Sequence, residues 1–150
     1  MKFYNNLWLV VILVGSMSLQ FIAKAGLGPN QDLIDAVYLD NEDGIRAALA
    51  AGANINAEDG SGLTALHIAA MQGREAVARL LLSQADIEVD YPDRDLKTPL
   101  MLAVYYGYMP MVKLLLEHNA SINARDSSGQ GARDLASHPD IRRMLDAEKA

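Results

Sequence analysis

The chain has 150 residues, 51% of them apolar, with a formal charge of −6 and no cysteine. That is room for one domain, and the missing cysteines exclude disulfides, thiol catalysis, thiolate metal sites and a cysteine-borne lipid. The excess of acid disfavours nucleic acid and anionic membrane surfaces as partners, since both repel a negative surface.

At the N-terminus Lys2 precedes the unbroken apolar run Leu7-Trp8-Leu9-Val10-Val11-Ile12-Leu13-Val14, and Ala23-Lys24-Ala25 is a small-x-small site. Charge, apolar run and small residues in that order read as a secretory signal peptide over 1–25, cleaved between Ala25 and Gly26. Ser16, Ser18 and Gln20 break the end of the apolar stretch, whereas a membrane-spanning helix needs about 20 mostly apolar residues. An uncleaved anchor is therefore the weaker reading. Cleavage would remove two lysines and no acid, leaving eleven basic and nineteen acidic side chains and a charge of −8. It would also remove Phe3, Trp8 and Phe21, so the core must be built from Leu, Ile, Val, Ala and Met. In an oxidising compartment that core has packing alone to hold it.

A short linker, 26–30, leads into internal repetition. Leu33-Ile34-Asp35-Ala36-Val37, Leu66-His67-Ile68-Ala69-Ala70 and Leu100-Met101-Leu102-Ala103-Val104 begin with leucines 33 and then 34 residues apart. A weaker fourth copy starts near Arg133-Asp134-Leu135-Ala136. Each full copy continues into a second apolar stretch (Ile45 to Leu49, Val77 to Leu82, Met111 to Leu116) and closes in a polar link. The pattern predicts two short helices and an extended finger per unit. Thr64 and Thr98 stand at N-cap positions, and Pro99 falls at the first helical position, where its missing N–H is harmless. Gly73 and Gly107 separate the two helices, where a left-handed turn tolerates no Cβ well. Gly52 and Asn119 follow the second helix, and both residue types tolerate the left-handed conformation. Small Ala36, Ala69 and Ala103 allow first helices to approach closely. No unit can bury its apolar face alone, so stacking must make the core.

These segments resemble the ankyrin-repeat family. The likeness is closest in Asp59-Gly60-Ser61-Gly62-Leu63-Thr64-Ala65-Leu66-His67-Ile68-Ala69-Ala70, in Thr98-Pro99-Leu100-Met101-Leu102-Ala103, and from Leu114 to Ala124. It covers about 31–150 and implies an all-α repeat solenoid of helix-turn-helix repeats with β-hairpin fingers. The repeats fall at about 31–60, 61–95 and 96–128, with a C-terminal cap at 129–150. Asp40 in place of the inter-helix Gly marks the first unit as an N-terminal cap, and Gly131-Ala132-Arg133-Asp134 replaces the Thr-Pro-Leu-His of a full repeat. One residue is missing near Gln84, and the finger Ile87 to Lys97 is expected to be about two residues longer than the family pattern.

Catalysis finds no foothold in this pattern. The resemblance implies that His67 is structural, its ring bonded to the neighbouring finger's backbone. A general base would also need a partner and a nucleophile within reach. His118 and His138 occupy other places in the repeat, so no spacing gathers the three as metal ligands. Asp86, Glu88, Asp90, Asp93 and Asp95 form an acidic comb, but a calcium loop starting at Asp86 fails at Tyr91 and Lys97. The comb reads as a solvated finger tip. Gly60-Ser61-Gly62 lacks the strand-to-helix setting of a nucleophile elbow, and no phosphate-cradling loop is present. Neither cofactor nor small-molecule substrate is expected.

The resemblance further implies that two residues per repeat, just after the small pair, face the concave surface. Here these are Tyr38 and Leu39, Met71 and Gln72, Tyr105 and Tyr106, with Tyr91 on the finger beside them. Tyrosine and methionine are enriched in interface cores. A rim of Glu58, Asp59, Asp90, Asp93 and Asp95 favours a partner with a basic or mixed rim. The expected role is a monomeric, exported protein-binding module of a bacterial periplasm, either immunity-type or enzyme-protecting. The alternative is an exported effector that occupies a host protein.

Overall fold

The structure is a computed structural model and describes residues 28–148. The signal peptide expected over 1–25 and its expected cleavage site at Ala25 and Gly26 lie outside the described residues. Eight helices follow one another in pairs: α1 (Pro29–Tyr38) with α2 (Glu42–Ala50), α3 (Ala65–Gln72) with α4 (Glu75–Leu82), α5 (Pro99–Tyr106) with α6 (Met109–Glu117), and α7 (Ala132–Leu135) with α8 (Pro139–Ala147). The inner helices α1, α3, α5 and α7 stack in that order, and α4 packs on α6 in a second row. No described helix is long and apolar enough to cross a membrane.

The two rows differ in sequence because they differ in surroundings. In α3 every residue from Ala65 to Ala70 is buried, and in α5 every residue from Pro99 to Val104. A helix buried on all sides is apolar on all sides, as α5 is from Pro99 to Val104; in α3 the one exception is His67. The column Ala36, Ala69, Ala103 and Ala136 is buried down the length of the stack. The outer helices are amphipathic: α4 buries Val77, Ala78, Leu81 and Leu82 and leaves Arg79 in solvent. Leu33, Ile45, Leu66, Ile68, Leu81, Leu100, Met111, Leu115 and Ile141 form the centre of a single aliphatic core. Each such side chain contributes about 1.5–3 kcal/mol on burial.

Between the helices of a pair the chain reverses through a left-handed residue: Asp40 (φ 56), Gly73 (φ 67) and Gly107 (φ 78). The residue that then opens the outer helix reaches back over the preceding turn. An Arg74 Nη1 donates to the Val37 carbonyl at 3.2 Å and lies 3.4 Å from the Asp40 carboxylate. The Tyr108 and His138 rings lie over Gly73 and Gly107, where an added Cβ would come within 2.8 and 2.6 Å of them.

The fingers are tight turns rather than strand pairs. Among the described residues the one bridge is Glu58 with Thr64. One carboxylate organises each turn. Asp59 Oδ1 accepts from the Ser61 and Leu63 amides, Asp93 Oδ1 from Asp95 and Lys97, and Asp126 Oδ1 from Ser128 and Gln130. Side-chain bonding of this kind competes with a β ladder for the same amides. A second series of bonds holds the links: Asn30 Oδ1 at the start of α1 accepts from the Asn54 amide of the first link, and between successive links Asn56 Oδ1 accepts from Glu88 and Asp90 Oδ1 from Ser121, at 2.7–2.9 Å.

The irregular register of the second repeat lies elsewhere than expected. From Asp90 to Asp93 the finger has the length found from Asn56 to Asp59 and from Asn123 to Asp126. The extra residues sit before it: α4 has 8 residues where α2 and α6 have 9, and residues 83–89 lead to Asp90 where the shorter stretches 51–55 and 118–122 lead to Asn56 and Asn123. That loop has no counterpart to left-handed Gly52 (φ 91) or Asn119 (φ 61). Instead the Ser83 hydroxyl and the Gln84 amide both donate to the Leu80 carbonyl.

Gly73→Ala tests the inter-helix turn. It would force a Cβ into a left-handed residue and against the Tyr108 ring, at a cost of about 1–3 kcal/mol. Urea unfolding should show a lower midpoint with an unchanged slope.

Candidate protein-binding surface

The inner helices run out of cover at their C-terminal ends, and this is where the stripe Tyr38, Leu39, Met71, Gln72, Tyr105 and Tyr106 emerges. Its members are unequal. Leu39 is 71% exposed, Tyr105 61% and Tyr106 49%. Met71 and Gln72 are half-buried, and the Gln72 Oε1 is shielded without a hydrogen-bond partner among the described residues. Tyr38 is exposed, but its hydroxyl donates to Asp59 Oδ2 at 2.8 Å. Partial burial and that bond push its phenol up to about 12. Half-buried Tyr91 on the second finger donates to Glu58 Oε1 at 2.7 Å. Two of the four tyrosines of interest are thus tied to neighbouring carboxylates.

Tyr105 and Tyr106 stand otherwise. Their rings meet edge to face at 5.2 Å, and Tyr106 stacks on Tyr108 at 6.3 Å with the planes 22° apart. Such pairs hold each other in place at little entropic cost. Tyr108 extends the surface beyond the two residues per repeat read from the sequence. Its signal was its place directly after Gly107, where the second repeat has Arg74. Tyr105 and Tyr106 line an open groove of about 380 Å³, with Met101, Leu102 and Leu135. The rest of its lining is polar, from Lys97, Asp126, Ser128 and Gln130. Leu96, 51% exposed on the second finger, is a further apolar group outside the stripe.

The acidic rim does more than face solvent. Asp59, Asp93 and Asp126 organise their turns, and Asp90 joins two links. The Asp59 carboxyl stays below the usual carboxylate range: partial burial opposes this, but the Leu63 and Ser61 amides, the Tyr38 hydroxyl and nearby Arg94 outweigh it. The comb of Asp86, Glu88, Asp90, Asp93 and Asp95 does not converge, and no group of His, Asp or Glu among the described residues could hold a metal.

His67 is fully buried at the third position of α3. Its Nδ1 accepts from the Thr64 amide at 3.2 Å and lies 2.8 Å from the Thr64 hydroxyl. Its Nε2 lies 3.0 Å from the Lys97 carbonyl, which an Nε2–H tautomer satisfies as donor. The ring therefore joins the start of α3 to the next finger, with both nitrogens engaged. In the third repeat Met101 stands at this place, and the Thr98 hydroxyl accepts from its amide at 3.4 Å. His118 Nδ1 bonds to the Leu114 carbonyl within α6, and His138 opens α8.

Comparison with known proteins agrees with this architecture. The family described as "Ankyrin repeats (3 copies)" matches residues 33–126. Inversin of Danio rerio is 33% identical over 151 residues, covering 74% of this chain and 15% of its own. The poly [ADP-ribose] polymerase tankyrase of Caenorhabditis elegans is 35% identical over 114 residues, covering 72% of this chain and 5% of its own. An ankyrin repeat protein of Rickettsia bellii is 37% identical over 111 residues, with 73% and 53% covered. The chain thus spans about half of the bacterial relative and a small part of the other two.

Burial is the largest influence on the His67 ring and holds its pKa below the ordinary 6.5, against the opposing pull of the Lys97 carbonyl and of Asp93, Asp59 and Glu58. Below that pH the unfolded chain takes up a proton that the folded ring resists. The ring's contribution is therefore complete above about pH 6.5 and is lost as the pH falls. Urea unfolding between pH 7 and 5 should show stability falling by up to about 1.4 kcal/mol per pH unit from this group. His67→Gln should flatten that slope. An unchanged slope would mean the ring is not the group responsible.

Proposed function

The chain belongs to the ankyrin-repeat family, a scaffold that binds other proteins and is generally not enzymatic, and on that premise we propose that it captures a partner through the groove at Tyr105 and Tyr106. One observation carries the reading: the two largest side chains at the end of α5 are exposed, braced against each other, and not needed to fill the core. Fixed aromatic rings beside an open groove bring large contact area with little side-chain entropy to lose, which is the character of an interface anchor. Leu39 and Tyr38 extend the same face toward the first repeat, and Met71 and Gln72 lie between.

The setting we propose is the bacterial periplasm, with the chain as a monomer that holds or shields a partner protein in an immunity-type or enzyme-protecting role. The order of Lys2, the apolar run from Leu7 and the Ala23-Lys24-Ala25 site supports export. A core with no cysteine suits a compartment where thiols are oxidised. The acid excess argues against nucleic acid as the partner, and the open groove is shaped for a protein surface rather than for enclosing a small molecule.

Tyr105→Ala combined with Tyr106→Ala tests the surface. Its melting temperature should stay within about 2 °C of the parent, while calorimetric affinity for the captured partner should fall at least tenfold, or by about 1.4 kcal/mol. A large loss of stability with intact affinity would place the pair in the core instead. Osmotic shock of the producing cells tests the compartment: release of the mature chain is expected, and retention in spheroplasts or appearance only in the medium would refute the periplasmic setting.

A further inference from the structure

The second finger breaks the repeat at one position that folding does not require. In the first and third fingers the turn places glycine in the left-handed region, Gly62 at φ 84 and Gly129 at φ 77. The second finger has Leu96 there, at φ 59. Leucine is strained in this region because its Cβ crowds the following carbonyl. The fold gains little in return, since the side chain is half exposed. Nor does the turn depend on it: Asp93 binds the Asp95 and Lys97 amides just as Asp59 and Asp126 bind theirs beside glycine. Strain that the fold does not use points to a contact made outside the chain.

The surroundings indicate what makes that contact. Lys97, the next residue, lines the groove with Tyr105 and Tyr106. The Asp95 carbonyl accepts from the Ser127 amide at 2.8 Å, which fixes the tip against the third finger. Along the first two fingers and the link before the second stand seven acids, Glu58, Asp59, Asp86, Glu88, Asp90, Asp93 and Asp95, and two cations, Arg94 and Lys97. Among the described residues the one ion pair within this set is Lys97 with Asp95, at 3.8 Å. Tyrosine rings and an exposed leucine beside carboxylates that outnumber the cations among them are complementary to a cationic protein segment carrying apolar side chains.

We propose that Leu96 is a partner-contact residue. With Tyr105 and Tyr106 it takes an apolar side chain of a cationic segment, whose arginines or lysines face the carboxylates of the first two fingers. This rests on the protein-binding reading above and fixes both the chemistry of the partner and the part of the surface it uses. The probe is a peptide of three tandem Gly-Arg-Leu-Arg units, titrated into the full chain and followed by amide NMR, with a Gly-Glu-Leu-Glu counterpart as control. The cationic peptide should shift the Leu96, Tyr105 and Tyr106 amides and bind more weakly as salt is raised. Leu96→Gly should leave the melting temperature unchanged or raise it by about 2–4 °C, yet weaken the peptide at least fivefold; Leu96→Met should keep its affinity. A fall in melting temperature for Leu96→Gly, unchanged affinity, or equal binding of the glutamate peptide would overturn the proposal. If Tyr105→Ala with Tyr106→Ala weakens the peptide and Leu96→Gly does not, the surface stands and the role of Leu96 falls. If neither weakens it, the protein-binding reading of this face falls as well.

Discussion

Six consecutive residues of α3, and six of α5, are withdrawn from solvent, and a helix can be hidden round its whole girth only when a neighbour lies on each flank. That requirement orders the rest of the molecule. It demands small side chains where inner helices meet, supplied by the alanine column from Ala36 to Ala136. It makes the end units unlike the middle ones: α1 exposes Pro29, Asn30 and Gln31 or half-buries them, and α7 is cut to four residues. It also leaves the helix ends, which project past the neighbours, as the part of an inner helix free to carry large side chains without disturbing the stack.

Stacking by apolar contact sets how close the units lie but is indifferent to small slips along the helix axes. Directional bonds fix the register. The His67 ring joins α3 to the Lys97 carbonyl, and bonds from Asn56 and Asp90 join each link to the next. These span 32 and 31 residues of chain, so each is formed only when two neighbouring units are correctly seated. For the buried His67 ring, loss of its bonds costs more than their making contributes, since an orphaned buried polar group bears its whole desolvation penalty.

The helix pairs, their N-caps and the left-handed turns were legible because each depends on local chemistry repeated at one period. Thr98, Pro99, Gly73 and Gly107 act through their own backbone, and three copies of the pattern show it more clearly than one. The fingers were less legible. Their hairpin form followed from the family likeness, whereas the path is set by one carboxylate per turn, a role that Asp59, Asp93 and Asp126 share with no hint in composition. The displaced extra residues before the second finger were hidden for a related reason: Ser83 and Gln84 replace a left-handed cap with side-chain bonds, which no helix-end rule anticipates. Leu96 stood in plain view against Gly62 and Gly129, and only its φ and its exposure gave that difference meaning.

The tyrosines show why residue type alone is a poor guide to a binding face. Tyr38 and Tyr91 occupy places as open by pattern as those of Tyr105 and Tyr106, yet each spends its hydroxyl on a carboxylate of an adjoining finger. A partner that engaged those hydroxyls would first have to break a bond to a charged acceptor, which is among the stronger hydrogen bonds a protein makes. At Tyr105 and Tyr106 the rings are braced by each other and by Tyr108, so a partner meets a surface already arranged and displaces little to use it. On the proposed reading the binding face is therefore concentrated toward the third repeat, although tyrosine itself is spread along the chain. The first repeat's Tyr38 serves instead to hold the finger beside it.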